Sequence, residues 1–559
     1  PNSRANTAAS SLVTVRDFSA RAARMSAVVE LGNSRAVSLS GFPKQLQGEL
    51  GPAITFDLDG NGTAELITSR VKTTGVSGRG GTPTGKGALF AWLASGVSAA
   101  NPADSGGLAA ETDESVVGQP AISAHPSGGA PIIAAATPGM LYLWRAQDGN
   151  ADQRWDEVAR AALPADTVAW NVMIRDTLVV AYGPAGVAVK SISGLPVTSF
   201  VPGARSMAWT GNGAQFVAGV GSDIYRLFIS PTSRAADVFS LIRSAGGAVT
   251  AIVAGQVDGT TPAVVVQSVG IAGASRITVL NAGDLSPMGS FDIAPGLRSG
   301  ETVLGTLILM DADWDGRKDI LAPTSAGRLV MSTIEGVVLD GAPRTISQRG
   351  GWQNVDLLGA DIGGSVTPEV FVLDDAGVMS ISPSSTSVGT QVGNPAQTSA
   401  ALGGIAVPQG TSTAIFVTDA RGGVSAYDLR VGWSGLGAVW PMRMGNAAGT
   451  AFTSLPTITP LPASSGMLPA DRVYNWPNPV YGSETRLRFF TDRDGTVTVT
   501  IFDVAGDRVT ELRGVAVGGR DNELVWNVSG IQSGVYLARI EVTGGGQTAA
   551  AIVKIAVVK

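Results

Sequence analysis

The sequence predicts an all-β protein: a seven- or eight-bladed β-propeller followed by a small antiparallel β-sandwich. Three observations predict it. A strand–turn–strand unit recurs at intervals of about 50 residues. The composition is rich in glycine and poor in charge. After a proline-rich stretch, the chain ends in short strands of alternating polarity.

The repeat is clearest at Gly51–Thr68 (GPAITFDLDGNGTAELIT) with Gly87–Gly96, at Leu307–Pro323 (LILMDADWDGRKDILAP) with Gly327–Gly336, and at Val355–Asp374 with Gly377–Pro383. Copies without the acids stand at Gln119–Ala136, Thr250–Gln267 and Ala401–Asp419, and Val168–Ile192 and Arg205–Ile229 fit two further strand groups. Asp57 and Asp311 lie 254 residues apart, room for five intervals, and Asp361 follows 50 residues later. Eight units result. Two proline-bearing segments, Gly41–Phe56 and Val439–Thr453, read as outer strands followed by a turn and an inner strand. If N- and C-terminal strands share one blade, both meet at the seam, and closure removes exposed sheet edges.

Composition supports this architecture. Hydrophobic residues are 44% of the 559, charged residues only 15%, and glycines number 73. Short strands and tight turns use such a mixture; solvated helices do not. The net charge is −6 and the basic residues are scattered singly, which excludes a phosphate-tracking nucleic-acid surface. Cysteine is absent, excluding a thiol nucleophile, a disulfide framework and a Cys-ligated zinc. Apolar runs such as Thr177–Tyr182 are strand-sized, so no transmembrane segment is expected. The chain opens at Pro1 without a signal peptide and reads as a processed or trimmed product.

The domain order that follows is residues 1–40 as N-terminal strands, 41–454 as the propeller, 455–472 as a Pro-rich linker, and 473–559 as the sandwich.

The strongest chemical signal is a pair of acidic loops. Asp57, Asp59, Asn61 and Glu65 place oxygens at positions 1, 3, 5 and 9; Asp311, Asp313, Asp315 and Asp319 repeat the spacing. Calcium takes six to eight hard oxygens at about 2.4 Å. Alternate residues of a tight loop point inward, and glycine permits the bend. Thr63 and Arg317, at position 7, would lend backbone carbonyls. A turn enriched in Asp and Gly for conformational reasons is the bland alternative. Two occurrences at equivalent repeat positions favour two Ca2+ sites. The third copy keeps only Asp361 and Glu369, half of the oxygens, as a further Ca2+ candidate.

These loops with their flanking strands resemble the FG-GAP/VCBS repeats of integrin-α-like propellers. The resemblance implies calcium loops on the ring's periphery with a structural role. Tyr474–Pro479 (YNWPNP), RLRFF, VTVTIFDVAGDRV, LVWNVSG, Ser533–Arg539 (SGVYLAR) and the terminal VKIAVVK resemble a type IX secretion sorting domain, an immunoglobulin-like sandwich. That resemblance implies recognition by the outer-membrane secretion machinery and a secreted, extracellular or bacterial cell-surface location; a plain spacer is the alternative. Ser11–Gly32 resembles the closing strands after a secreted metallopeptidase domain, implying a longer precursor; otherwise it supplies the propeller's first outer strands.

Three features mimic sites. Gly80–Gly87 nearly matches a phosphate-binding loop, but the Ser/Thr position is Gly87 and a strand follows. His125, the single histidine, sits in a turn and has no second His or Cys for zinc. The dispersed tryptophans, among them Trp155, Trp170, Trp352 and Trp526, fit packing as well as a sugar groove.

No catalytic constellation emerges, so no enzyme is expected. The leading function is a secreted structural or interaction protein, with other surface or extracellular proteins, a filament or layer, and the type IX machinery as partners. The alternatives are a carbohydrate-binding or polysaccharide-active propeller, with glycans as partners, and the accessory part of a secreted peptidase precursor.

Overall fold

The computed structural model describes the chain except residues 1, 5–9, 17–27, 32–36, 73–85, 102, 104–105, 165–169, 201–202, 230–237, 259–260, 271–273, 294–295, 314–315, 340, 347–356, 361–368, 375–376, 382–389, 393–403, 407–413, 420, 429–437, 441, 454–466, 470–471, 477 and 519.

Eight antiparallel sheets follow one another along the described residues and close into a ring. Their innermost strands begin at Ile54, Val117, Asn171, Ser206, Ala248, Ile308, Leu357 and Gly404, which define blades 1 to 8. Each inner strand touches the preceding blade, and that of blade 1 (Ile54–Phe56) meets that of blade 8 (Gly404–Ala406), which closes the ring. The eight units expected from the sequence map onto these blades one to one, and the described chain is all β.

Middle strands such as Ile132–Ala136 and Asp319–Pro323 are buried along their whole length because each blade is covered on both faces. Their near-continuous Val, Ile, Leu and Ala runs are what such a position selects. The core therefore runs between blades: one cluster joins blades 5, 6 and 7, another joins blades 8, 1 and 2.

The seam is built as expected from Gly41–Phe56. Lys44–Gln45 and Val37–Ser38 pair with Gly423–Asp428 of blade 8, and Glu49–Leu50 pairs with the second strand of blade 1. N- and C-terminal chain thus share blade 8. The strands Asn2–Arg4, Ser10–Arg16 and Val28–Leu31 form a separate three-stranded sheet.

Val439–Thr453 corrects the sequence expectation. It is not an outer strand at the seam but a segment running along the inner edges of the blades. Trp440 pairs with Gly359 of blade 7, and Phe452 and Thr453 pair with blade 5. Between them the carbonyls of Ala447, Ala448, Thr450 and Ala451 accept the amides of Ile122, Ile174, Trp209 and Ala254, the inner strands of blades 2, 3, 4 and 5, at 2.7–2.9 Å. Inner strands carry an edge of unpaired amides toward the axis, and this segment satisfies them. Gly449 is required there: its φ is +68°, and a Cβ would lie 2.6 Å from the Val172 carbonyl. A cavity of about 240 Å³ remains beside it, bordered by Tyr182, Arg205, Trp440 and Arg443.

The C-terminal unit is a sandwich of two sheets, a three-stranded one (Val473–Trp476, Glu484–Thr491, Arg520–Asn527) and a four-stranded one (Arg508–Ala516, Gly495–Phe502, Gly534–Gly544, Gln547–Val557). Leu487, Phe489, Val499, Ile501, Trp526 and Ile540 fill it. Trp526 meets Tyr536 edge-on at 5.4 Å, and the Tyr536 hydroxyl donates to the Gln532 carbonyl at 2.9 Å. Met467 and Leu468, inside the stretch expected as linker, are buried against this core.

Candidate metal centres and the C-terminal unit

In blades 1 and 6 the acidic loop joins the innermost strand to the second. A strand pair held in register delivers the first and last acids of the loop side by side. In blade 1 the loop is knitted by its own carboxylates: Asp57 accepts the amides of Gly60, Asn61 and Gly62 at 2.8–3.1 Å. Asp59 accepts Asn61 N–H at 3.0 Å, Asn61 Oδ1 accepts Thr63 N–H at 2.7 Å, and Glu65 accepts Leu58 N–H at 2.6 Å. Gly60 and Gly62 take φ of +75° and +84° with open space where a Cβ would stand.

The result is convergence. Oxygens of Asp57, Asp59 and Glu65 lie within 4.8 Å of one another, and so do those of Asp311, Asp313 and Asp319. The ninth-position acid is buried in both (Glu65 1% exposed, Asp319 2%), whereas Asp57, Asp311 and Asp313 are half-buried and Asp59 is exposed. Burial, with Asp59 and Asp57 beside it, pushes the Glu65 carboxyl up to about 7. Three carboxylates this close, one of them dry, form a donor set that a hard divalent cation satisfies.

Blade 6 repeats the frame: Gly316 N–H donates to Asp311 at 3.0 Å, and Ala312 N–H to Asp319 at 2.9 Å. Arg317 turns outward to Glu335 at 2.6 Å. Lys318 turns inward, where its ammonium donates to Thr453 Oγ1 at 3.1 Å and ties the loop to the axial segment. Burial lowers the Lys318 pKa to about 7 against the pull of Asp311. Asp315 and Asp361 lie outside the described residues; Glu369 opens the second strand of blade 7, 2% exposed.

A fourth loop of the same kind was missed by sequence reasoning. Asp148, Asn150, Asp152 and Asp156 occupy positions 1, 3, 5 and 9 between the third and outermost strands of blade 2. Its hydrogen bonds copy those of blade 1: Asp148 accepts Asp152 N–H and Gln153 N–H, Asn150 accepts Asp152 N–H, Asp152 accepts Arg154 N–H, and Asp156 accepts Gly149 N–H, all at 2.8–3.0 Å. The spacing was the available signal. It sits in a different hairpin of the repeat, away from the aligned copies.

The features that mimic sites resolve. Gly87 opens the strand Gly87–Trp92 where a phosphate-binding loop needs a helix, and residues 80–85 lie outside the described residues. His125 accepts the Ser127 amide at 3.2 Å within its turn. Trp155, Trp170 and Trp526 are buried, as are Trp92, Trp144 and Trp440; Trp352 lies outside the described residues. No helix among the described residues is long and apolar enough to cross a membrane.

In the C-terminal unit, Asn478 of the YNWPNP segment clasps the last strand. It donates to the Lys554 carbonyl at 2.8 Å and accepts the Ala556 amide at 2.9 Å. The Lys559 amide donates to Ser533 Oγ at 2.8 Å. The YNWPNP, SGVYLAR and VKIAVVK segments are thus brought together.

Comparison with known proteins gives three findings. Residues 474–554 match the family model described as the secretion system C-terminal sorting domain. No curated protein matches the chain. Among solved structures, the Dos1 propeller is similar at 11% identity over 72% of this chain and 97% of that one, with a TM-score of 0.43. PorZ, described as an essential bacterial surface component of the type-IX secretion system of Porphyromonas gingivalis, is similar at 13% identity over 96% of this chain and 77% of that one, with a TM-score of 0.35. The sandwich that closes this chain is a secretion system C-terminal sorting domain, the mark of a protein exported by the type IX route to the cell surface or beyond it.

Proposed function

We propose that this chain is a non-catalytic scaffold, a rigid ring displayed at the bacterial surface or in an extracellular assembly and pinned by calcium in blades 1 and 6. The sorting domain carries the reading, since it states where the ring is delivered. The axial segment supports it: the centre of the ring is given over to holding blades together, which leaves the outer surfaces for partners. The buried tryptophans favour packing over a sugar groove.

When bound, calcium would cross-link the first and second strands of a blade through Asp57, Asp59 and Glu65, or through Asp311, Asp313 and Asp319. Chelation is expected to lower the melting temperature by several degrees, and Asp313→Ala to do the same without chelator. No change in either measurement overturns the calcium assignment. Deleting residues 474–559 is expected to leave the protein inside the cell. A hydrolytic activity that survives purification and vanishes on one carboxylate substitution outside the loops would overturn the non-catalytic reading.

A further inference from the structure

The cavity beside the axial segment, about 240 Å³ in volume, is bordered by blades 3 to 7. A void of about 150 Å³ already holds a benzene ring, so this one has room for a single six-membered ring with a substituent. Its lining is of two kinds. Val253, Leu307 and Leu357, at the inner edges of blades 5, 6 and 7, join Trp440 in an apolar wall of buried side chains. Blades 3 and 4 supply polar groups instead: Asn171, Tyr182, Arg205 and Ser206. Among the described residues no Asp or Glu borders the cavity.

Three of these polar side chains, those of Asn171, Tyr182 and Arg205, have no hydrogen-bond or ion-pair partner among the described residues. Tyr182 is the telling one, because it is only 1% exposed. A buried hydroxyl without a partner is costly, and native structures rarely keep one without a use. Tyr182 stands directly across from Asn171 in the antiparallel pair of the first two strands of blade 3, so the two side chains share one face of the sheet. Burial raises the Tyr182 pKa against the pull of Arg443, so the hydroxyl keeps its proton and can donate it to an anion. Arg205 is exposed, and its guanidinium is reached from solvent. Ser206 Oγ accepts the Ile252 amide at 2.8 Å, which leaves its own proton to donate. The axial segment is bent where it borders this space. Met444 and Ala451 both line the cavity at φ of +62° and +49°, joined by the Ala451 amide donating to the Met444 carbonyl at 2.9 Å. Residues other than glycine seldom adopt such angles, and strain of this kind collects at ligand clamps.

We propose that the axial cavity binds a small organic carboxylate carried on a single ring. Arg205 supplies the counter-charge, Tyr182 and Asn171 donate hydrogen bonds to the carboxylate oxygens, and the wall that includes Trp440 packs against the ring. A planar guanidinium matches a carboxylate in shape as well as charge. Inorganic phosphate would leave the apolar wall bare, and a neutral ring would leave the donors of blades 3 and 4 without a charged acceptor. The site goes beyond the scaffold reading, lies apart from the acidic loops, and needs no metal.

Isothermal titration of the full chain tests this with benzoate and glucuronate as probes, benzyl alcohol and glucose as their neutral counterparts, and inorganic phosphate as the bare anion. At least one of the two carboxylates is expected to bind at least about tenfold more tightly than its neutral counterpart and than phosphate. Binding of neither carboxylate overturns the proposal, and so does equal binding of the neutral compounds or of phosphate. Arg205→Gln is expected to weaken the carboxylate at least about tenfold and, the side chain being exposed, to leave the melting temperature of the empty protein unchanged. Tyr182→Phe separates a ligand role from a structural one. It is expected to weaken binding several-fold while the empty protein melts at the same or a higher temperature, because an unpaired buried hydroxyl has been removed. A lower melting temperature with binding intact would make the hydroxyl structural and overturn its assignment. Unchanged affinity in both variants would place the ligand elsewhere and overturn the site.

Discussion

The loops 57–65 and 148–156 have the same backbone and different chemistry. Each places oxygens at positions 1, 3, 5 and 9, and each folds the same amides onto the same carboxylates. Yet blade 1 uses glycine at positions 4 and 6, whereas blade 2 forces Ala151 and Gln153 to φ of +61° and +66°. Glu65 is buried at the head of a middle strand, whereas Asp156 is half-buried at the head of an outermost one. Spacing fixes the shape of such a loop. Its depth in the blade decides how closely the acids crowd one another around a buried carboxylate.

Substitutions at position 1 break the comparison hardest. Asp57→Ala strips the acceptor from three amides and is expected to cost about 3 kcal/mol. Asp148→Ala strips two amides at an exposed site and is expected to cost clearly less. Chemical denaturation of the two variants gives the order directly; equal losses would mean that depth does not matter.

The pH response comes next. In chelator, the Glu65 pKa stands at about 7 in the folded chain against 4.5 as the ordinary value. A raised folded pKa gives stability that is full below 4.5 and is lost as pH rises through about 7. The metal-free protein is therefore expected to lose on the order of 2 kcal/mol across that window. Glu65→Gln is expected to flatten the curve, and excess calcium to reverse the loss near neutral pH. A pH-independent melting temperature in chelator would remove the crowding argument.

The smallest effects lie in the backbone. Gly62→Ala meets no neighbour, so its expected cost of about 1 kcal/mol is conformational alone. Gln153→Gly should act in the opposite sense and stabilise blade 2 by up to about 1 kcal/mol. Opposite signs at matched positions, read by thermal melting, would confirm that the two loops share one frame.

Much of this architecture was legible in the residues. The eight units, the seam at Gly41–Phe56 and the acid loops of blades 1 and 6 are written in short-range pattern: alternation, turn glycines and fixed oxygen spacing. Asp148–Asp156 carried the same spacing but not the apolar context by which the copies were aligned. Val439–Thr453 was opaque for a physical reason. Its carbonyls bond to four different blades, so nothing in its own sequence names its partners. Pro441 and the glycines there mimic an edge strand, while Gly449 is required by a contact far away in sequence. The burial of Arg486 and Arg488 was equally hidden, because alternation in RLRFF predicts a wet outer face.

The axial segment also decides how this molecule meets force. The sorting domain follows it in the chain after residues 454–472, so a pull on the C-terminus during passage through the outer membrane that travels along the chain reaches the ring at Phe452 and Thr453. From there tension spreads at once to blades 5, 4, 3 and 2 through the four carbonyl contacts, and to blade 6 through Lys318. A tail attached to an outermost strand would instead unzip one blade from its edge. Here the traction is shared at the hub, and the ring resists as a whole.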